Sequence, residues 1–74
     1  MASATNKDIP DIFQLYSDIF SMHKEFYFPE ESKAYWNNAI SVAHNIHAKY
    51  GTALSKDLCL AVIDELEERY NLIC

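Results

Sequence analysis

Three histidines and two cysteines are the side chains of this 74-residue sequence best suited to metal binding or nucleophilic chemistry. His44 and His47 stand three residues apart, a spacing that lets two imidazoles of one helix share a metal ion. Zinc takes three or four protein ligands, commonly as close pairs, and no second close pair accompanies these histidines. His23 and Cys59 are single residues elsewhere in the chain. We therefore predict no metal site and no cofactor.

Neither cysteine has neighbours that would activate it as a nucleophile. Cys59 lies among apolar residues and is predicted to be a buried, reduced thiol, and Cys74 is the last residue. No serine stands in a nucleophile-elbow motif, and one glycine, Gly51, cannot build a glycine-rich phosphate loop. We predict that the protein is not an enzyme. The alternative, a small metal-dependent or catalytic domain, would need a pocket lined by His23, His47 and a carboxylate.

Composition places the chain among small globular helical proteins. Hydrophobic residues make up 50% and charged residues 23%, a balance typical of a folded domain. One glycine and two prolines leave long uninterrupted stretches, which favours helices. A chain of this length forms one domain. We expect a loose N-terminal arm over residues 1–7 and a single domain over residues 8–74.

The net charge of −5 bears on the class of partner. An acidic chain is repelled by phosphate backbones, so we expect no direct binding to nucleic acid. It suits a protein partner with a basic surface. No apolar run is long enough to span a membrane, no signal segment is recognised, and two cysteines do not form a disulfide framework. We predict a cytoplasmic protein.

Apolar residues recur at helical spacing in three segments, which predicts an all-α fold, an antiparallel three-helix bundle. The helices are expected at about 8–27, 30–50 and 55–70. Asp8 is the predicted cap of the first helix, Pro29 the start of the second and Ser55 the cap of the third. Gly51 is expected to end the second helix in the left-handed conformation.

Each predicted helix has one apolar face that we expect to form the core. On the first helix this face consists of Ile9, Ile12, Phe13, Tyr16, Ile19, Phe20, Phe26 and Tyr27, with Leu15 and Met22 widening it at the edge. On the second it consists of Tyr35, Trp36, Ala39, Val42, Ala43, Ile46 and Tyr50. On the third it consists of Leu58, Cys59, Val62, Ile63, Leu66 and Tyr70. None is sustained long enough for a free-standing coiled coil.

Aromatic residues are concentrated where the first helix meets the second. Phe26, Tyr35 and Trp36 are expected to point inward and close one end of the bundle. Tyr27 and Phe28 lie at the connection, which cannot easily bury both. Exposed aromatic side chains with a polar rim are typical of binding patches. We therefore predict that Tyr27 and Phe28 contact a partner.

The third helix carries a concentration of acids towards its C-terminal half. Leu60 is expected opposite the core face with carboxylates around it. An apolar side chain ringed by acids suits the docking of a basic partner, whereas an ordinary solvated face is the alternative. The predicted partner-binding residues of this helix are Asp57, Leu60, Asp64, Glu67 and Glu68.

Parts of the second and third helices resemble short helical proteins carried by bacterial phages and mobile elements. The residues that carry this resemblance are Tyr35-Trp36, Lys49-Tyr50, Lys56-Asp57-Leu58 and Asp64-Glu65-Leu66-Glu67-Glu68-Arg69. The resemblance implies no catalytic residues. It implies a context in which small acidic proteins inhibit host defence machinery, anti-CRISPR proteins among them.

Two functions follow as expectations. The first is a non-catalytic protein-binding inhibitor or regulator of a nucleic-acid-handling complex. The second is a structural or self-assembly module whose surplus aromatic residues are buried in a homodimer.

Overall fold

The computed structural model of the protein describes residues 3–5 and 7–73. This part of the chain forms three helices, α1 (Pro10–Glu25), α2 (Lys33–Tyr50) and α3 (Ala53–Ile73), and contains no β-strand. Every helix packs against the other two, which confirms the all-α three-helix bundle. The predicted N-terminal arm lies partly, and Cys74 wholly, outside the described residues.

The start of α1 differs from the prediction, because Asp8 does not cap the helix. Its carboxylate accepts hydrogen bonds from the backbone N–H and the hydroxyl of Thr5, at 2.9 and 3.2 Å, and so organises the preceding turn. Ile9 takes the cap position without a side-chain hydrogen bond. Pro10 then occupies the first turn, where its missing N–H costs no helical hydrogen bond.

The start of α2 also moves, from Pro29 to Lys33. Ser32 has an extended backbone, and its hydroxyl oxygen accepts a hydrogen bond of 3.0 Å from the backbone N–H of Tyr35. That side-chain cap satisfies one of the donors left open at a helix start. The end of α2 is as predicted, since Gly51 has a φ of 63° and its N–H donates to the carbonyl of His47 at 2.6 Å.

Thr52, and not Ser55, caps α3. The Thr52 hydroxyl oxygen accepts from the Ser55 N–H at 3.1 Å, and the Ser55 hydroxyl oxygen accepts from the Thr52 N–H at 3.2 Å. This is a reciprocal capping box with serine in the position usually held by glutamate. The Ser55 hydroxyl also donates to the Thr52 carbonyl at 2.8 Å, so its polar groups are satisfied although the residue is buried.

One hydrophobic core runs through the bundle and draws on all three helices. Its buried side chains are Leu15, Ile19, Met22 and Phe26, then Tyr35, Ala39 and Ile46, and finally Cys59, Val62 and Leu66. Every residue of the faces predicted for the second and third helices is buried or half-buried. Those two faces are confirmed.

The face predicted for the first helix is wrong by about a quarter of a turn. Leu15 and Met22, placed at its edge by the sequence, are each 1% exposed and lie at the centre of the core. Phe13, Tyr16 and Phe20, placed near its centre, are 48%, 51% and 63% exposed. The rotation turns a row of large apolar side chains towards solvent.

Aromatic rings close the end of the bundle at the junction of α1 and α2, as predicted for Phe26, Tyr35 and Trp36. Consecutive rings meet edge to face at 5.5 Å for Phe26 and Tyr35 and at 4.8 Å for Tyr35 and Trp36. Trp36 meets Tyr70 of α3 in the same way at 5.8 Å. The Tyr35 hydroxyl donates to the Phe26 carbonyl at 2.5 Å, so the polar end of a buried ring is satisfied.

Leu66→Ala is expected to lower the free energy of unfolding by about 2–5 kcal/mol, because Leu66 is fully buried and its loss leaves a cavity. Leu72→Ala is the matched control, since it removes the same atoms from an exposed position of the same helix. Its effect should stay within about 0.5 kcal/mol. Urea unfolding followed by circular dichroism measures both. Equal losses would contradict the packing of α3 described here.

Candidate interaction surface

The face of α1 that points away from the core carries a row of apolar and aromatic side chains, which we name the outer seam. It consists of Phe13, Tyr16, Phe20 and His23 on the helix, with Ile9 at the cap position before the helix and Tyr27 just beyond its end, its ring 6.4 Å from that of His23. Successive members are four or three residues apart, which is the average period of 3.5 with which helices pack side by side in coiled coils. The described part of the chain leaves all but the half-buried His23 exposed.

The exposed area of the outer seam is large for a protein of this size. An aromatic side chain presents roughly 150–250 Å², so three rings that are about half exposed leave on the order of 300 Å² in water. The exposed parts of Ile9 and Tyr27 bring the apolar area to roughly 450 Å². An apolar patch of that size on a monomer is commonly a contact site.

One edge of the outer seam is polar but carries no acid. The positions that border it on this side of α1 are Pro10, Ser17 and Lys24. The Ser17 hydroxyl donates to the Phe13 carbonyl at 3.0 Å, so it is turned onto its own helix. The Lys24 ammonium lies 5.2 Å from the centre of the Phe20 ring, within the range of a cation–π contact.

The other edge of the outer seam is held to α3 by a hydrogen bond between His23 and Glu65. His23 Nε2 lies 2.9 Å from Glu65 Oε2, and Arg69 donates to the second oxygen of the same carboxylate. Partial burial acts to raise the pKa of Glu65, but hydrogen bonds from Arg69 and His23 outweigh it and hold that pKa below its ordinary value. The Arg69 guanidinium lies 4.1 Å from the centre of the Tyr27 ring. Tyr27 is thus held in place while still exposed.

The predicted aromatic corner is exposed, as expected from the sequence. Tyr27 and Phe28 meet edge to face at 5.1 Å, and both are exposed. Phe28 also borders a depression of about 380 Å³ shared with Phe26 and Tyr35. The predicted role of Tyr27 and Phe28 in partner binding stays a prediction. The structure adds that Tyr27 continues the outer seam.

Leu60 lines an apolar groove of about 440 Å³ between α2 and α3. The groove is lined by Ile40, Ala43, His44, His47, Lys56, Cys59, Leu60 and Ile63. Leu60 is exposed, as predicted, but its neighbours in the groove are apolar, histidine and lysine side chains. On the side that faces the groove, Leu60 therefore lacks the acidic neighbours that we expected from the sequence.

The four other predicted partner-binding residues of α3 form an open acidic surface. Asp57, Asp64, Glu67 and Glu68 are all exposed. Within residues 3–5 and 7–73 none of these four carboxylates forms a hydrogen bond or an ion pair. Their charge is left uncompensated by close contacts and faces solvent.

A histidine–serine pair joins α2 to α3 but is built for structure. His47 Nδ1 lies 3.1 Å from the Ser55 hydroxyl oxygen. The Ser55 hydroxyl lies 2.8 Å from the Thr52 carbonyl, and the tautomer that satisfies both contacts has Ser55 donating to Thr52 and His47 Nδ1 donating to Ser55. In a serine nucleophile the proton is given to the histidine instead. Ser55 is also fully buried, beyond the reach of a substrate.

The thiol of Cys59 also has a structural contact. It is buried as predicted, and it donates a hydrogen bond to the Ala43 carbonyl with a sulfur–oxygen distance of 3.4 Å. Burial raises the pKa of the Cys59 thiol, which keeps it protonated and unreactive at neutral pH. Among the residues that the structure describes, no group of three histidine, cysteine, aspartate or glutamate side chains could hold a metal ion.

Asp18 is the polar contact that fixes the rotation of α1 against α2. Its carboxylate accepts hydrogen bonds from the Tyr50 hydroxyl at 2.5 Å, the Lys49 ammonium at 3.1 Å and the Gln14 amide at 3.2 Å. The hydrogen bond from Tyr50 is the main reason why the pKa of Asp18 lies below its ordinary value of 3.8. Asp18 lies on the side of α1 away from the outer seam, so this contact holds the seam outward.

The chain matches no protein-family model, no curated protein and no solved structure. The resemblance to phage and mobile-element proteins therefore stays a prediction. In the described residues, none of the three helices combines the length and the apolar character needed to cross a membrane.

The substitution Tyr50→Phe should make the free energy of unfolding less dependent on pH in the acid range. The folded-state pKa of Asp18 is lowered, so its contribution to stability is present above pH 3.8 and is lost as the pH falls below that value. Removing the Tyr50 hydroxyl removes the main cause of that contribution. The stability difference between wild type and variant should be constant near neutral pH and shrink below about pH 4.

Urea unfolding at a series of pH values measures this difference. Tyr16→Phe is the control, because the Tyr16 side chain is exposed and lies away from Asp18. Its difference from wild type should not change with pH. A Tyr50→Phe difference that stays constant through the acid range would contradict the role given to Asp18.

Proposed function

We propose that this protein is a non-catalytic binding protein that uses the outer seam of α1 to contact a second protein chain. The observation that carries the proposal is the row formed by Phe13, Tyr16 and Phe20, which lie exposed on one helix face at coiled-coil spacing. Burying such rings is the main source of free energy in helix-mediated recognition. A partner helix laid along α1 would cover all three.

The positions of the potentially reactive side chains support the non-catalytic part of the proposal. His47 and Ser55 connect α2 with α3, and Cys59 is buried and bonded to a backbone carbonyl. His23 is engaged by Glu65 at the edge of the outer seam. Each of these groups has a structural contact that explains its presence. The proposed activity needs none of them as an acid, a base or a nucleophile.

A second candidate function rests on the acidic surface of α3. Asp57, Asp64, Glu67 and Glu68 present unpaired carboxylates, which suit a basic protein surface of the kind that binds nucleic acid. The net charge of −5 has the same sign as a phosphate backbone and would compete with it. In this form the protein is an inhibitor of a nucleic-acid-handling defence complex, anti-CRISPR-like in its action, from a phage or mobile element.

Replacing Tyr16 by the photo-reactive p-benzoylphenylalanine tests the use of the outer seam. Irradiation of cells that produce this variant is expected to give a covalent adduct with the protein that covers α1. The matched control carries the same replacement at Asn45, which is exposed on α2 and distant in sequence from the seam. Gel mobility and mass spectrometry of the adducts give the measurement. Equal labelling from both positions, or none from Tyr16, would refute the proposal.

Charge reversal tests the acidic surface separately. The triple variant Asp64→Lys, Glu67→Lys and Glu68→Lys should lose inhibition in cleavage assays with bacterial CRISPR effector complexes, because the complementary charge is gone. The control variant, Glu25→Lys, Glu30→Lys and Glu31→Lys, makes the same charge change at exposed positions outside α3 and should retain inhibition. Inhibition that is unchanged by the first variant, or equally lost in both, counts against a specific role of α3.

A further inference from the structure

We propose that the partner covering the outer seam is a second copy of this chain, packed α1 against α1 across a two-fold axis. This inference rests on the proposed function, because it names the occupant of the same surface. Three observations select a second copy: the distribution of charge, the area of the seam and the amount of surface that the single chain leaves in water.

The distribution of charge favours self-association on this face. Two chains of charge −5 repel each other wherever carboxylates meet. None of the six residues of the outer seam is acidic, and Lys24 adds the only full charge on its free edge. Glu65, at the other edge, is already paired with Arg69 and His23. The outer seam is thus a face on which two copies can approach without bringing free carboxylates together.

The area of the outer seam matches what each half of a dimer contributes. A standard interface buries about 800 Å² per partner, and somewhat more than half of that area is apolar. The seam exposes roughly 450 Å² of apolar side chain, which meets this requirement. The polar remainder is available at the rim, from Ser17, Lys24 and the ion pairs at the α3 edge.

The single chain also exposes more accessible surface than is usual for a compact monomer of its mass. Its accessible area is 5490 Å², whereas a compact monomer of 8.5 kDa exposes about 4,700 Å². Its radius of gyration is 13.9 Å, against about 11 Å for a compact domain of this length. The bundle is therefore elongated. Part of this exposed area is the outer seam, which a second copy would cover.

A two-fold axis fits the seam because the contact is self-complementary. In such an interface residue i of one copy meets residue j of the other, and the reverse contact is made at the same time. Phe13 to Phe20 spans seven residues, or about 10 Å of helix, so the three central rings form one short strip. The exposed acids of α3 lie outside the seam and stay available in the dimer.

Light scattering coupled to size-exclusion chromatography tests the inference. At about 100 μM, wild type is expected at twice 8.5 kDa. Tyr16→Glu places an unpaired carboxylate from each copy in the interface, since no basic residue lies three or four positions away, and should weaken the dimer by roughly 100-fold or more, giving the monomer mass. Ile40→Glu is the matched control, because Ile40 is an exposed apolar residue of α2 on the groove between α2 and α3. It should stay dimeric.

Two further measurements keep the test decisive. If circular dichroism shows that Tyr16→Glu has lost its helices, Phe13→Glu replaces it and should give a folded monomer. Added salt should strengthen the wild-type dimer, since it screens the repulsion between two acidic chains, whereas a basic partner would be released. A dimer that weakens with salt, or that dissociates with Ile40→Glu and not with Tyr16→Glu, overturns the inference.

Light scattering and photo-crosslinking together distinguish a failure of the inference from a failure of the proposed function. A wild-type monomer at all concentrations, together with a photo-adduct from Tyr16 to a different protein, refutes the second copy and keeps the seam as a binding surface. An adduct of twice the chain mass from Tyr16 supports both. A monomer with no adduct from Tyr16 refutes both.

Discussion

The rotation of α1 about its own axis is the constraint on which the surface of this protein depends. Apolar residues occupy about half of its circumference, and a bundle of three helices has room to bury only part of them. Leu15 and Met22 fill the core, and Asp18, on the same side, is held by Tyr50 of α2. With that side fixed, Phe13 and Phe20 have no place left inside.

This rotation separates two surfaces that differ in chemistry. The outer seam is apolar and free of acids, whereas the exposed carboxylates of Asp57, Asp64, Glu67 and Glu68 lie on α3. Apolar burial supplies most of the free energy of association, while charge mainly sets the encounter rate and the choice of partner. Because the two surfaces do not overlap, self-association through α1 and contact with a basic protein through α3 are compatible in one assembly.

Most of the side chains in this sequence that could do chemistry form polar contacts between helices or at helix ends. A buried polar group is costly unless it is hydrogen-bonded, and a small bundle has few ways to satisfy one. Ser55 solves this through the capping box with Thr52 and the contact with His47. The half-exposed carboxylate of Glu65 accepts from both His23 and Arg69 and so connects α1 with α3. Histidine and serine here hold the ends and edges of helices together.

The three helices, the core faces of α2 and α3 and the left-handed Gly51 that ends α2 were all predictable from the sequence, because period, propensity and capping are local properties. The sequence also indicated that Tyr27 and Phe28 are exposed, since a short connection cannot bury both. The tertiary structure alone decided which side of α1 faces the core. Leu15 and Phe13 are equally apolar by sequence, and only the packing of α2 and α3 against one edge of the helix buries the first and exposes the second.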